Sequence, residues 1–475
     1  MLLLYDTATR DKTPFEPLVE GQVRIYTCGP TIWDHAHIGN FRSFLFADVL
    51  KRYLRFAGYT VYHVMNLTDV DDRIVQRVGE ESVSLEEYTQ RYAEAFFEDA
   101  AALNIEPADV YPRPSAHIAE MIDLIARLVE RGVAYERDGS VYFSIAGFPE
   151  YGCFARLDMA GLRDGARVDT DKYDKDDARD FVLWKAWTEA DGEVYWESPY
   201  GRGRPGWHLE CSAMSMKYLG EVFDIHTGGI DLIFPHHQNE IAQSQGATGS
   251  PFVRRWMHNE FVNIDGIGMS KSEGNNLRLG DIGDQEQIDA FRYFSVTAHY
   301  RSTLNFTAAA LAASKSALQR LRRLRTRLSA ASALDSQDGL QPDATWTEII
   351  GQARAGFCEG MDDDLNTPRA MAAVFGFVNE AEPRLADDGL CSAAAQSGAD
   401  FLDEVDSALG LFGDLHKKAV ESRVLTPELE ELLQSREEAR RSKDWGLADR
   451  LRDQLASAGI EVRDSPQGSD WSWRN

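Results

Sequence analysis

Residues 23–54, VRIYTCGPTIWDHAHIGNFRSFLFADVLKRYL, read as a strand, a turn and a helix. Val23, Ile25 and Tyr26 suit a buried strand, and Cys28-Gly29-Pro30 ends it. From Phe41 the apolar period turns helical through Phe44, Leu45, Val49, Tyr53 and Leu54. The polar residues before it, including His37, Gly39 and Asn40, therefore fall where a helix begins. The first backbone N–H groups of a helix are unpaired and its dipole is positive at that end, so the position suits a phosphate, which His37 and Asn40 would face. An ordinary βα turn with two surface histidines fits the same residues. Gly58 closes the helix and Tyr59 to Leu67 (YTVYHVMNL) supplies the next strand. Such a β-α-β crossover predicts a parallel sheet, with nucleotide bound at its carboxyl edge.

A chain of 475 residues is too long for one core and predicts two to four domains of about 100–200 residues each. With 43% hydrophobic and 27% charged residues it has the composition of a soluble globular protein. No apolar run approaches the ~20 residues of a membrane span, and MLLLYDTATRDK lacks the pattern of a signal peptide, so a cytoplasmic location is expected. Five cysteines at wide, irregular intervals (Cys28, Cys153, Cys211, Cys358, Cys391) form no disulfide framework. The net charge of −27 repels nucleic acid as a whole, so any RNA partner must be met by a local basic face.

Further along, Asn66 to Arg73 places polar residues at a strand's carboxyl end, where a helix N-cap at Thr68 or Asp69 fits as well as a ligand contact. Leu85, Tyr88, Tyr92 and Phe96 make a helical stripe, residues 117–132 predict another helix, and residues 133–143 a hairpin around Asp138-Gly139. Residues 151–199, rich in Asp, Trp and turn formers, have the character of an insertion. Pro235 suits a helix start, after which His236 and Glu240, four apart, project from one face and can share an ion; a solvated face has the same spacing. GIGMSKSEGN (266–275) is a glycine-rich loop with one cation and two hydroxyls, suited to bending over phosphates, although a plain surface loop would look alike. LAASKSALQRLRRLRTRL (311–328) sets Lys315, Arg320, Arg322, Arg323, Arg325 and Arg327 on a Leu ladder, the best RNA-backbone candidate in so acidic a chain. Residues 330–343 form a polar linker, residues 346–411 carry the stripes of a helical bundle, residues 427–459 predict two more helices, and Ile460 begins a terminal strand.

His37-Ile38-Gly39-Asn40 resembles the HIGH motif of class I aminoacyl-tRNA synthetases, with Asn in place of the final His. The surrounding CGPTIWDHAHIGNFRSF is similar to the cysteinyl-tRNA synthetase family, in which a Cys precedes that motif, and the resemblance extends over essentially the whole chain. It implies an α/β fold in which a Rossmann-like parallel-sheet catalytic domain (1–310) carries an insertion (about 115–205) and a stem-contact region (about 260–310). An α-helical anticodon-binding-type bundle (311–415) and a small C-terminal α+β domain for anticodon recognition (416–475) follow. The implied activity is ATP-dependent ligation of L-cysteine to its tRNA through cysteinyl-adenylate, by a cytoplasmic monomer. One Zn2+ per chain would be held by Cys28, Cys211, His236 and Glu240, with His237 an alternative that sequence does not exclude. ATP, with Mg2+, would be bound by His37, Gly39 and Asn40 and by Met269, Ser270, Lys271 and Ser272 of a KMSKS-like loop, in which Gly268 replaces the usual first Lys. His37, Asn40 and Lys271 would be catalytic, and Thr68, Trp207, His226 and Asp231 would shape the amino-acid pocket. The ending GSDWSWR only approximates the family's Gly-x-x-Trp-x-Arg pattern. Two other classes stay open: an ATP-dependent cysteine ligase acting on an amino sugar, which lacks the full anticodon-binding end, and a non-catalytic RNA-binding or zinc-sensing relative.

Overall fold

The computed structural model describes residues 1–157, 180–269, 276–333, 341–386 and 390–413, and, beyond these, 432–433, 435–436, 439–440, 442, 444–457, 460–465 and 468–473. An N-terminal hairpin of β1 (Leu3–Asp6) and β2 (Asp11–Pro14) leads into β3 (Gln22–Thr27). Helix α1 (Ile38–Phe56) and β4 (Thr60–Met65) complete the expected crossover, β3 and β4 pairing in parallel from Gln22↔Thr60 to Thr27↔Met65. The helix begins three residues before Phe41, where the apolar period becomes visible, because His37 and Asn40 cap it. Then come α2 (Asp72–Glu81), α3 (Leu85–Ala102) and α4 (Ile118–Glu130). The N-cap of α2 is Asp71, whose side chain accepts from the Arg73 N–H. Neither Thr68 nor Asp69 caps it: Asp69 is buried and accepts from the Ser115 N–H at 3.0 Å.

An antiparallel sheet of β5 (Ala134–Arg137), β6 (Ser140–Phe143), β7 (Phe181–Ala186) and β8 (Gly203–Pro205) interrupts the parallel one and packs on its own core with α4. The chain returns through α5 (Trp207–Leu219), β9 (Phe223–Gly229), α6 (His236–Thr248) and β10 (Val253–Asn259). The parallel sheet has the order β10-β9-β3-β4. Since β4 lies on one side of β3 and the later strands on the other, the strand order reverses between β3 and β9, and the crevice at their carboxyl ends is where such sheets hold ligands.

Next stand β11 (Val262–Ile264), β12 (Ile267–Gly268), α7 (Leu279–Ile282), α8 (Gln285–Val296) and β13 (Leu304–Phe306), with a small sheet in the order β12-β11-β13. Four helices follow: α9 (Ala308–Ser332), α10 (Ala344–Asp362), α11 (Thr367–Ala386) and α12 (Ser392–Leu409). Leu318, Leu321, Leu324 and Leu328 of α9 are buried with Trp346, Phe377 and Phe401, each such side chain contributing about 1.5–3 kcal/mol of transfer free energy. Helix α1 lies inside this continuous core with Phe41, Leu45 and Leu50 fully buried. Its Asp48 accepts from Arg52 at 2.9 Å and from Arg292 of α8 at 2.6 Å. Burial would raise that carboxyl, but the two guanidinium groups outweigh it and hold it below its ordinary range. Arg292 also donates to Leu409 O at 2.5 Å, tying α1, α8 and the end of α12 together.

The chain divides into two compact units, Met1–Gly413 and Asp414–Asn475. The second holds a helix over Trp445–Ser457 and a hairpin of β14 (Ile460–Ser465) and β15 (Gly468–Trp473), with Leu455 and Val462 buried. Trp471 and Trp473 lie on its second strand.

Candidate active site and metal centre

A cleft of about 630 Å³ opens where the strand order reverses, lined by the turn after β3, the start of α1, Trp207, and the ends of β9 and β10. The turn is held open by Gly29, at which a Cβ would stand 1.8 Å from Asn66 O, so only glycine fits there. His37 Nδ1 accepts from the Asn40 N–H at 3.2 Å and Asn40 Oδ1 accepts from the His37 N–H at 3.1 Å, a reciprocal capping box. The pair read as facing a phosphate spends these two side-chain atoms on the cap, and both residues line the cleft. Among the described residues no acceptor pairs with the Gly39 N–H, which leaves a helix-start donor on the cleft wall.

The glycine-rich loop is anchored to the same point at both flanks. Met269 lies so close over Gly39 that a Cβ there would come 2.4 Å from its Cε. On the other flank the Ile38 N–H donates to Leu277 O at 2.9 Å and Arg278 pairs with Asp34 at 3.1 Å. Ser270, Lys271 and Ser272 lie outside the described residues. Gly268, at the end of β12, and Met269 line the cleft.

At the cleft floor Cys28, Cys211, His236 and Glu240 meet, all buried, with ligand atoms within 4.8 Å of one another. Helix geometry explains the convergence. On α5, Trp207 lines the cleft and Cys211 lies one turn deeper, 3.8 Å from the Cys28 sulfur. On α6, His236 Nε2 stands 3.0 Å from Glu240 Oε1 one turn away. The second Glu240 oxygen, Oε2, lies 3.0 Å from His226 Nε2. His237, at three residues' spacing, also faces inward, its Nε2 3.3 Å from the Cys28 sulfur, so Cys28, His226, His237 and Glu240 make a second set of the same compactness.

The electrostatics are those of donors crowded together. Burial, then the neighbouring Cys211 and Glu240, push the Cys28 thiol well above its usual range. Cys211 is pulled down, chiefly by its hydrogen bond with Cys28. Burial alone would raise Glu240, yet His226 and His236 bring it down to about 2. Burial would likewise lower His236, but Glu240 and Cys211 outweigh it and hold it up at about 10. Glu240 and Cys211 thus favour a proton on His236, which it would give up from Nε2 as a metal ligand. Its Nδ1 lies 2.8 Å from Nδ1 of His208, which burial and then His236 keep well below the ordinary range. A neutral His208 must accept there, so His236 donates from Nδ1 and its Nε2 is directed at Glu240 and Cys211.

Trp207 and Asp231 line the cleft, with the Trp207 ring 4.4 Å from that of His236. Burial raises the Asp231 carboxyl. His226 is fully buried behind the cleft, against Glu240. Thr68 is buried too: its N–H donates to Pro30 O at 3.0 Å and its hydroxyl accepts from Asn66 at 2.9 Å, bracing the turn from behind. Sequence reading missed His208 and His258, which hold His236 and His237 through their second nitrogens. It also missed Arg73, which lines the cleft 4.8 Å above the Trp33 ring and pairs with Asp71 at 3.0 Å. A His three residues before Cys211 on one helix was the available signal for the first.

A Rossmann-like sheet with a capped HIGH-type helix start at its switch point, followed by a helical domain, is the architecture of class I aminoacyl-tRNA synthetases. The fold agrees with that of Mycobacterium tuberculosis methionyl-tRNA synthetase in complex with methionyl-adenylate, at a TM-score of 0.62 and 15% identity, covering 84% of this chain and 92% of that one. The class I (C) tRNA synthetase catalytic domain matches residues 14–316, the DALR domain 356–413 and the cysteinyl-tRNA ligase anticodon binding domain 422–474. The cysteine–tRNA ligase of Chlamydia pneumoniae is 46% identical over 471 residues, covering 98% of this chain and 97% of that one. That of Brachyspira hyodysenteriae is 44% identical over 475 residues, covering 99% of each. The chain belongs to the cysteine–tRNA ligase family.

Proposed function

We propose that the chain activates L-cysteine with ATP, taken as its Mg2+ complex, and transfers the cysteinyl group to the terminal ribose of its tRNA. The observation that carries this is the union, in one cleft, of a helix-start phosphate site with a buried thiol-rich donor set. In the first step the cysteine carboxylate attacks the α-phosphorus in line, the bond to pyrophosphate breaks and cysteinyl-adenylate forms. The Gly39 N–H and the positive end of α1 hold phosphate, while the Lys271 ammonium meets the charge that grows on the departing pyrophosphate. In the second step a ribose hydroxyl attacks the acyl carbon, the ester forms as the bond to AMP breaks, and the hydroxyl proton is lost. Positioning and electrostatics suffice, and no protein nucleophile is needed.

Two thiols, an imidazole and a carboxylate, all buried, fit one zinc ion, and Cys28, Cys211, His236 and Glu240 would hold it. When bound, zinc supplies a soft Lewis acid that takes the substrate thiol in preference to the hydroxyl of serine. The lowered Cys211 and Glu240 give two anionic donors, and His208 keeps the Nδ1 proton of His236 away from the ion. His226 and His237 buttress the set, and Trp207 and Asp231 frame the amino-acid end of the cleft. Thr68 acts through the turn that carries Cys28. Among the described residues no helix is long and apolar enough to cross a membrane, and we take the chain to act as a cytoplasmic monomer.

Cysteine-dependent exchange of pyrophosphate into ATP, followed by charging of a cysteine tRNA transcript, tests the reading. Both activities are expected. Exchange without charging, with ester or amide formed on an amino sugar instead, would favour the sugar ligase. Absence of exchange in zinc-loaded protein would favour a non-catalytic relative.

A further inference from the structure

Among the described residues that line the cleft, Arg73 alone is a Lys or Arg, set against the acids Asp34, Asp231 and Glu260. Its guanidinium is placed from two sides. The Trp33 ring lies 4.8 Å beneath it, and Asp71 accepts from its Nε–H at 3.0 Å and from its Nη2 at 3.4 Å. Both supports are themselves fixed. Trp33 packs against Ile74, Val75 and Val78 of α2, its carbonyl accepts from the Tyr88 hydroxyl at 2.7 Å, and Asp71 is the N-cap of α2. Asp71 takes only part of the five-donor guanidinium fork. The rest has no partner among the described residues, although the side chain is exposed.

The position of Arg73 selects its ligand. The sheet runs β10-β9-β3-β4, so residues 259–269, after β10, wall the cleft from one edge and Arg73, after β4, walls it from the other. Met269 lies over Gly39, so the helix start is covered from the β10 side, by the flank of the loop that carries Lys271. On the β4 side the preceding residue, Asp72, pairs with Lys185 of β7 at 3.0 Å and with Arg204 of β8. Arg73 therefore stands where the antiparallel sheet meets the cleft. Once cysteinyl-adenylate has formed, its AMP holds the helix start under that loop, and the second substrate must reach the acyl carbon from the opposite wall. We propose that Arg73, held on Trp33, binds a phosphodiester of the RNA 3′ end and so brings the terminal ribose hydroxyl to the adenylate. The assignment rests on the tRNA-charging reading and deepens it. A guanidinium takes two phosphate oxygens at once along one edge, and stacking on the indole fixes the plane of that fork, which a lysine ammonium would not do.

The test sets Arg73→Ala against wild type, both full-length and zinc-loaded, on cysteine tRNA in which the last or the second-to-last phosphodiester is replaced by a neutral methylphosphonate. On unmodified tRNA below saturation, transfer from preformed cysteinyl-adenylate should slow by about tenfold or more, the scale for one charge-assisted contact. That loss should exceed any loss in cysteine-dependent ATP–pyrophosphate exchange by a similar factor. The slope of log affinity against log salt should be shallower by about 0.7–0.9, the value for one phosphate contact. At one of the two linkages the lesions should be non-additive: the methylphosphonate costs wild type about tenfold and Arg73→Ala less than about twofold. Arg73→Lys, which keeps the charge without the fork, should recover part of that coupling. Additive losses at both linkages would overturn the contact. So would an exchange rate that falls as far as transfer, since Arg73 would then serve the nucleotide or the amino acid. Either result, with wild-type charging intact, leaves the enzymatic reading untouched, whereas wild-type protein that charges no tRNA would strike that reading itself.

Discussion

Cys211→Ser is expected to lose bound zinc and cysteine activation together. Zinc should fall from one per chain to below about a tenth, and cysteine-dependent pyrophosphate exchange by about 10³-fold or more, within the 10⁴–10⁵ that a site built on one specific bond commands. The sulfur of Cys211 lies 3.8 Å from that of Cys28 on the floor of the cleft, and its lowered pKa makes it the ready thiolate of the pair. A serine hydroxyl is a hard donor that does not ionise there, so it supplies neither the charge nor the softness of the thiolate it replaces. His236→Ala should do the same by a different route, removing the ring nitrogen that would ligate zinc and, with it, the partner of one oxygen of the buried Glu240 carboxylate. Metal analysis beside exchange kinetics checks both. A Cys211→Ser protein with full zinc and full cysteine activity would refute the ligand assignment.

Lys271→Ala is expected to slow adenylate formation by about 10²–10³, the scale for removing one donor to a developing charge, with little change in cysteine affinity. The structural basis is the placement of the loop's flanks. Met269 sits over Gly39, and Leu277 and Arg278 are bonded to Ile38 and Asp34, so the loop leaves from and returns to the helix start that the triphosphate would occupy. Single-turnover kinetics should place the loss in the chemical step. An equal loss in ATP affinity and in rate would make Lys271 a ground-state ligand.

The β-α-β unit was legible because its apolar periods switch cleanly, and β3 and β4 pair in parallel as the crossover predicts, while their register, Val23 to Thr27 against Val61 to Met65, comes from the structure. Helix α1 starts among the polar residues as expected, but its cap was not legible, because a His and an Asn three apart do not spell the usual Ser/Thr and Glu capping box, although they bond as one. The N-cap of α2 was misplaced to Thr68 or Asp69 because several polar residues in a row offer equivalent caps, and only the tertiary demand of Ser115 on Asp69 decides among them. Spacing alone could pair His236 with Glu240, but it could not show that His226 arrives from β9 to take the second oxygen, since that depends on strand order. His237 likewise belongs to the buried cluster and not to a solvated face. The basic helix shows the limit most plainly: its charge was visible, while the carboxylates of Glu286, Asp289, Glu382 and Asp403 that answer most of it come from other helices.

The most direct test of the account is the ratio of cysteine-dependent to serine-dependent pyrophosphate exchange in zinc-loaded wild-type protein, read with its metal content. Serine differs from cysteine by one atom, and pocket shape alone separates such near-isosteres by only about 10². The account predicts a ratio of at least about 10⁴ with one zinc per chain. A ratio near 10², or cysteine-selective activity in protein whose metal content is near zero, would contradict it.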